Sequence, residues 1–148
     1  MKDNHQKNIA TYIHLSTFSR FLIPFGNIIG PTVLWKMNKH RCKFIDDHGK
    51  QAINFQITNG LYTALIGVLW IPLFFAEFLN KINLFDFGSF YNFPLNGLEI
   101  SPLVFFGGIL SLIGVLDFLF ETVVILKASS KAKHGESYDY PITYNFIK

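Results

Sequence analysis

The chain has 148 residues, 50% of them hydrophobic and 16% charged, with a formal net charge of +3 and a mean hydropathy of +0.30. A soluble globular domain carries more charge than this, and a nucleic-acid-binding one gathers its basic residues on one face. Here the charges cluster at residues 2–7, 36–50 and 127–148 with apolar runs between them, which is the pattern of membrane topology and points to membrane lipids, not nucleic acid, as surroundings.

Residues 1–8 form a short polar tail. No cleavable signal peptide is expected there, because Asp3 lies in the charged region, Arg20 interrupts the apolar run, and no small-x-small site follows. Residues 9–23 are mostly apolar but hold His14 and Arg20. Pro24-Phe25-Gly26-Asn27 is a turn signal inside hydrophobic sequence, and residues 28–37 are apolar again to Trp35-Lys36. At about 1.5 Å per residue neither piece spans a hydrocarbon core of about 30 Å. Two short helices could turn back within the membrane, or one helix kinked at Pro24 could cross once. Lys36, Lys39, Arg41, Lys43 and Lys50 place residues 36–50 on the inner side. The hairpin leaves Lys2 and Lys7 inside as well, so charge favours it. Irregular backbone at that depth must then be covered by other helices.

Residues 51–79 read as the main span, with a proline kink expected at Pro72. Residues 80–100, rich in Phe, Tyr, Asn, Gly and Pro, read as an aromatic outer loop at the interface. Residues 101–127 read as the last span, and the basic tail 128–148 returns to the inner side. The expected fold is all-α: one membrane domain over 1–148, an integral bundle of four membrane-embedded segments (9–23, 28–37, 51–79, 101–127), with both termini inside.

Several side chains stand out. Asp46 and Asp47 precede the main span and fit a helix cap, where a carboxylate accepts from unpaired N–H groups and complements the dipole. A metal site built from His40, Cys42, Asp46, Asp47 and His48 is the alternative, but no CxxC or HxxxH spacing supports it. No metal is expected, and the lone Cys42 is expected to be a reduced thiol. Asn54, Gln56, Thr58 and Asn59 lie early in the main span, where buried amides need partners. They fit interhelical hydrogen bonding or, alternatively, a polar path for a substrate. Asp117 and Glu121 lie one turn apart in the last span. Intramembrane carboxylates are functional candidates by default, or pair with intramembrane cations. Counting inward from Ile9 and from Lys127 puts Arg20 level with Asp117 at roughly 15–17 Å, and His14 level with Glu121 at roughly 7–9 Å. This predicts the pairs Arg20–Asp117 and His14–Glu121, with Asn54 near the second. Gly60, Ala64 and Gly67 share a spacing with Gly107, Ser111 and Gly114, as expected of small-residue contact faces between two spans. No GxSxG, P-loop or dinucleotide-binding glycine pattern occurs, so neither an enzyme nor a cofactor is expected.

Three stretches carry a family resemblance: His14-Leu15-Ser16 leading to Ile23-Pro24-Phe25-Gly26-Asn27-Ile28-Ile29-Gly30-Pro31; Asp46-Asp47-His48-Gly49-Lys50-Gln51-Ala52-Ile53-Asn54-Phe55-Gln56; and Lys127-Ala128 through Gly135-Glu136-Ser137-Tyr138 to Tyr140-Pro141-Ile142. Together they resemble a family of small bacterial membrane proteins related to the Tic-twenty subunit of the chloroplast inner-envelope protein-import machinery. The resemblance implies four helical segments in a bacterial inner membrane with both termini cytoplasmic. It implies a non-enzymatic subunit or accessory factor of a larger membrane assembly, with protein partners and a link to protein translocation. Residues 80–100 exceed the family pattern. The rivals are a small ion- or proton-coupled transporter or channel using Asp117 and Glu121, and a module whose basic 36–50 stretch binds anionic lipids.

Overall fold

The computed structural model of the protein describes residues 3–81, 93–95, 98–100 and 102–148. Helix α1 (Asn4–Leu15) runs into a 3-10 segment, Ser16–Phe21, and is followed by α2 (Gly26–Asn38), α3 (Lys43–Lys81), two three-residue strands, β1 (Phe93–Leu95) and β2 (Leu98–Ile100), and α4 (Pro102–His134). The all-helical expectation holds for the four long elements. Of the outer loop expected at 80–100, residues 82–92 and 96–97 lie outside the described residues. The described part pairs β1 with β2 antiparallel, Phe93 opposite Ile100.

The polar residues at 16–19 explain why α1 tightens. Ser16 Oγ donates to the Ile13 carbonyl and Thr17 Oγ1 to the His14 carbonyl, both at 2.7 Å, so side chains take acceptors near the end of the α-helical ladder. Beyond the 3-10 segment Phe25 adopts a left-handed conformation (φ 58°) and α2 begins at Gly26. The turn therefore falls at the Pro24 signal.

The helices run further than the charge pattern suggests. α3 starts at Lys43, so the expected 36–50 loop shrinks to residues 39–42. α4 continues seven residues past Lys127, to His134. Lysines set topology but are good helix formers, so a basic stretch marks a side of the membrane without marking a loop. Pro72 lies within α3, which is assigned as one helix through it.

The chain divides into two compact units: residues 1–62 with 120–148, and residues 63–119. In the first unit three apolar clusters form the core. Ile13, Trp35, Ile45, Ala52 and Ile53 make one; Phe55, Val124, Ile125, Ala128 and Tyr140 another; Ala10, Phe44 and Ala132 the third. Ala10, Ala52, Ala128 and Ala132 are wholly buried, so short side chains let the helices approach closely. In the second unit Leu65, Leu69, Phe74, Phe75, Leu112, Val115 and Leu116 are all exposed, the all-round apolarity of a helix surrounded by lipid. Among the described residues, one helical stretch is long and apolar enough to cross a membrane, the 31 residues Val104–His134. That supports membrane association and falls short of a four-span bundle.

Candidate functional site

Glu121 is the hub of the first unit. It is 2% exposed. Both ends of the Arg20 fork donate to its Oε2, at 2.5 and 2.6 Å, and Gln56 Nε2 donates to its Oε1 at 2.8 Å. Gln56 Oε1 in turn accepts from Asn27 Nδ2 at 2.8 Å. One carboxylate thus ties together the 3-10 segment, α2, α3 and α4. The expected pair Arg20–Asp117 is corrected: the guanidinium closes on Glu121. Counting Cα positions ignored the reach of an arginine, which is comparable to a helical turn of about 5.4 Å.

His14 does not pair with Glu121 either. It is wholly buried, and its Nε2 lies 2.7 Å from His48 Nδ1. His48 Nε2 lies 3.1 Å from the Glu136 carbonyl, and the Tyr140 hydroxyl 2.8 Å from His14 Nδ1. The carbonyl can only accept, so with both rings neutral every proton is assigned by the network. His48 Nε2–H donates to Glu136, His14 Nε2–H donates to His48, and Tyr140 O–H donates to His14. Burial pushes the Tyr140 phenol up, which keeps it a donor. Its ring stacks on Phe55, with centroids 4.4 Å apart. Tyr140→Phe keeps that stack but leaves His14 Nδ1 without its donor. A loss of about 1–3 kcal/mol is expected, read as a lower midpoint of thermal unfolding in detergent, whereas Tyr138→Phe at a half-buried position should leave it near the parent value.

The amides of α3 serve two faces. Gln56 turns to Glu121, whereas Asn54, two residues away and so on the opposite side of the helix, holds the C-terminal tail. Asn54 Nδ2 donates to the Ile147 carbonyl at 3.0 Å, and Asn54 Oδ1 accepts from Ile147 N–H at 2.9 Å. Gln51 Nε2 donates to Asp139 at 2.9 Å, and Thr58 Oγ1 accepts from Tyr144 N–H at 3.1 Å. Gln51, Asn54 and Thr58 follow an i, i+3, i+7 pattern, one stripe facing the tail. Asn54 therefore belongs with the tail and not with a His14–Glu121 pair. The tail 135–148, part of the stretch expected on the inner side, lies along α3, because the stripe offers both donors and acceptors to it. It flanks a cleft of about 340 Å³ lined in part by Asp47, His48, Gln51, Tyr138 and Asn145.

Asp46 and Asp47 are not caps, since α3 begins three residues before Asp46. Asp46 sits in the first turn and accepts from the Trp35 indole at 2.8 Å and from Lys50 at 2.5 Å, while the Lys39 ammonium lies 4.9 Å over the Trp35 ring. Burial alone would raise the Asp46 carboxyl; the hydrogen bonds from Lys50 and Trp35, with the charges of Lys50 and Lys39, outweigh it and hold it below its usual value. A depressed folded-state value means that the contribution is whole above the unfolded carboxylate value, about 4, and disappears as pH falls through the lower folded one. Acidification below about pH 4 should therefore weaken the parent protein more than Asp46→Asn, measured as the change in melting temperature with pH.

The small-residue faces are also corrected. A Cβ added at Gly60, Gly67 or Gly114 meets nothing within 4 Å, and one at Gly107 would lie 3.5 Å from the Trp70 ring; Ala64 and Ser111 are exposed. The close approach is elsewhere. A Cβ at Gly26 would lie 2.3 Å from the Ser19 carbonyl oxygen, one at Gly30 2.5 Å from that of Ser16, and one at Gly49 2.1 Å from Trp35 Cδ1. Gly26 and Gly30 form a GxxxG pair, and that spacing was the available signal. Nothing in the sequence flagged Tyr140 as the partner of His14, because their contact spans 126 positions. Among the described residues no group of three or more His, Cys, Asp or Glu side chains could hold a metal ion, and Cys42 is a free, half-buried thiol.

Residues 5–147 match a family described as the magnetosome magnetite crystal formation protein family. No curated protein and no solved structure matches the chain. The Tic-twenty resemblance and the link to protein translocation receive no support from these comparisons. With the match covering nearly every residue from α1 to the docked tail, the chain belongs to the magnetosome magnetite crystal formation protein family, a family of membrane proteins.

Proposed function

We propose that this is a non-enzymatic protein of the magnetosome membrane that acts in magnetite crystal formation as a subunit or accessory factor of a larger membrane assembly. The observation that carries this is the family match over residues 5–147. The first unit supports a structural role. Its buried polar side chains satisfy one another, and no buried side-chain nitrogen or oxygen among the described residues lacks a partner. In the transporter reading Glu121 would bind an ion or proton. Both of its oxygens already accept hydrogen bonds, from Arg20 and Gln56, which favours a staple between helices over an ion site. Protein partners and cytoplasmic termini are part of the proposal.

Deletion of the gene in a magnetosome-forming host, with crystals sized by electron microscopy, tests it. A shifted size or shape distribution is expected, restored by the parent gene. The tagged protein should fractionate with magnetosome membranes and co-purify with larger partners in mild detergent. Unchanged crystals, together with absence from the magnetosome fraction, would overturn the proposal.

A further inference from the structure

We infer that the first unit carries a binding site for the phosphate headgroup of an anionic phospholipid, in the cleft between the end of α2, the start of α3 and the C-terminal tail. The cleft measures about 350 Å³ and is lined by Trp35, Lys39, His40, Asp46, Lys50, Ile147 and Lys148. Its charge is unbalanced. The one side-chain carboxylate in the lining, Asp46, is matched by Lys50 at 2.5 Å. Lys39 and Lys148 form no ion pair with a described carboxylate, and His40 adds a further donor. Three lysines against one side-chain carboxylate leave the lining net positive, which suits an anion, and lysine binds phosphate as a point charge without needing a fork.

The level of the cleft indicates where the anion comes from. Ile29, Val33 and Met37 form an exposed apolar line on α2 at i, i+4, i+8, and Met37 is 71% exposed. That line ends where Lys36 and Lys39 begin. The cleft therefore lies at the height where hydrocarbon gives way to headgroups. Trp35, whose indole N–H is held by Asp46 while Lys39 covers its ring, is the residue type that marks this boundary. Basic pockets at such a level on the inner face suit anionic headgroups. Exposed lysines alone would give only a diffuse attraction; here two of them share a walled cavity with an immobilised indole.

The chain has two tryptophans, so a Trp70→Phe background leaves Trp35 as the sole reporter beside the cleft. The full-length protein in a neutral detergent is titrated with phosphatidylglycerol, with phosphatidylcholine of the same acyl chains, and with inorganic phosphate. Bound lipid is counted by native mass spectrometry while Trp35 emission is followed. Phosphatidylglycerol should be retained roughly tenfold more strongly than phosphatidylcholine and should shift Trp35 emission. Lys39→Gln/Lys148→Gln should lose that preference while remaining folded, with only the small fall in melting temperature expected from losing the Lys39 contact with Trp35 and its charge beside Asp46. Lys131→Gln/Lys133→Gln, which removes the same charge elsewhere, should keep it. Equal retention of the two lipids, or full retention by Lys39→Gln/Lys148→Gln, would overturn the assignment. So would inorganic phosphate shifting Trp35 and displacing the lipid at millimolar concentration, which would make the ligand a soluble anion. None of these readouts depends on magnetite, so the headgroup site and the proposed function can fail separately.

Discussion

Replacing Arg20 with alanine should lower stability by about 3–5 kcal/mol, because it takes the guanidinium away from a buried carboxylate. Glu121 is 2% exposed, and Gln56 would still donate to it. The reverse change, Glu121→Ala, should cost less, because the Arg20 side chain is 28% exposed and can turn its guanidinium to water. Replacing both residues with apolar ones of similar size should recover most of the loss. The measurement is denaturant unfolding in micelles for the parent, the two single variants and the double variant. If Arg20→Ala is no worse than Glu121→Ala, the carboxylate is not the buried partner.

Gly26→Ala should be nearly as damaging. The added methyl meets the Ser19 carbonyl oxygen at 2.3 Å, the Ser19 carbonyl carbon at 2.4 Å and Arg20 N at 2.7 Å. These are backbone atoms, so no rotamer change relieves them; the 3-10 segment and α2 must separate. That also strains the 2.6 Å bond from Ser19 Oγ to the Gly26 carbonyl and moves Arg20 off Glu121. Overpacking typically costs about 1–3 kcal/mol, and the value here should lie at the upper end. Gly60→Ala provides the control. Nothing lies within 4 Å of its Cβ, and alanine is the better helix former by about 1 kcal/mol, so it should be neutral or stabilising. Melting temperatures of the two variants decide the matter, and a Gly26→Ala protein as stable as the parent would show that the two backbones do not touch.

The sequence was informative where one-dimensional physics applies. Apolar runs and lysine clusters located the helices and the turn at Pro24, and the cost of burying ions marked Arg20, His14 and Glu121 as residues needing partners. It was uninformative where partners depend on rotation about helix axes. Asn54 and Gln56 looked alike as amides in a span, yet they point to opposite sides. Asp117 and Glu121 were equivalent by composition, and only side-chain reach distinguishes them for Arg20. Charge places the tail on the inner side but says nothing of what it packs against; the Asp139 side chain and the backbone at Tyr144 and Ile147 satisfy the Gln51–Asn54–Thr58 stripe. The small-residue motif was sought in the long spans, whereas the close approach is at Gly26 and Gly30.

The one-way chain from Tyr140 to Glu136 has a consequence for iron. An imidazole ligates a metal through a ring nitrogen that carries no proton. In this chain the bare nitrogen of His48 is occupied by the His14 N–H, and that of His14 by the Tyr140 O–H. Each lone pair that could coordinate ferrous or ferric iron is thus already an acceptor inside the fold. The docked tail thus covers the lone pair of His14 through Tyr140, while that of His48 is covered by His14 of α1 whether or not the tail is in place.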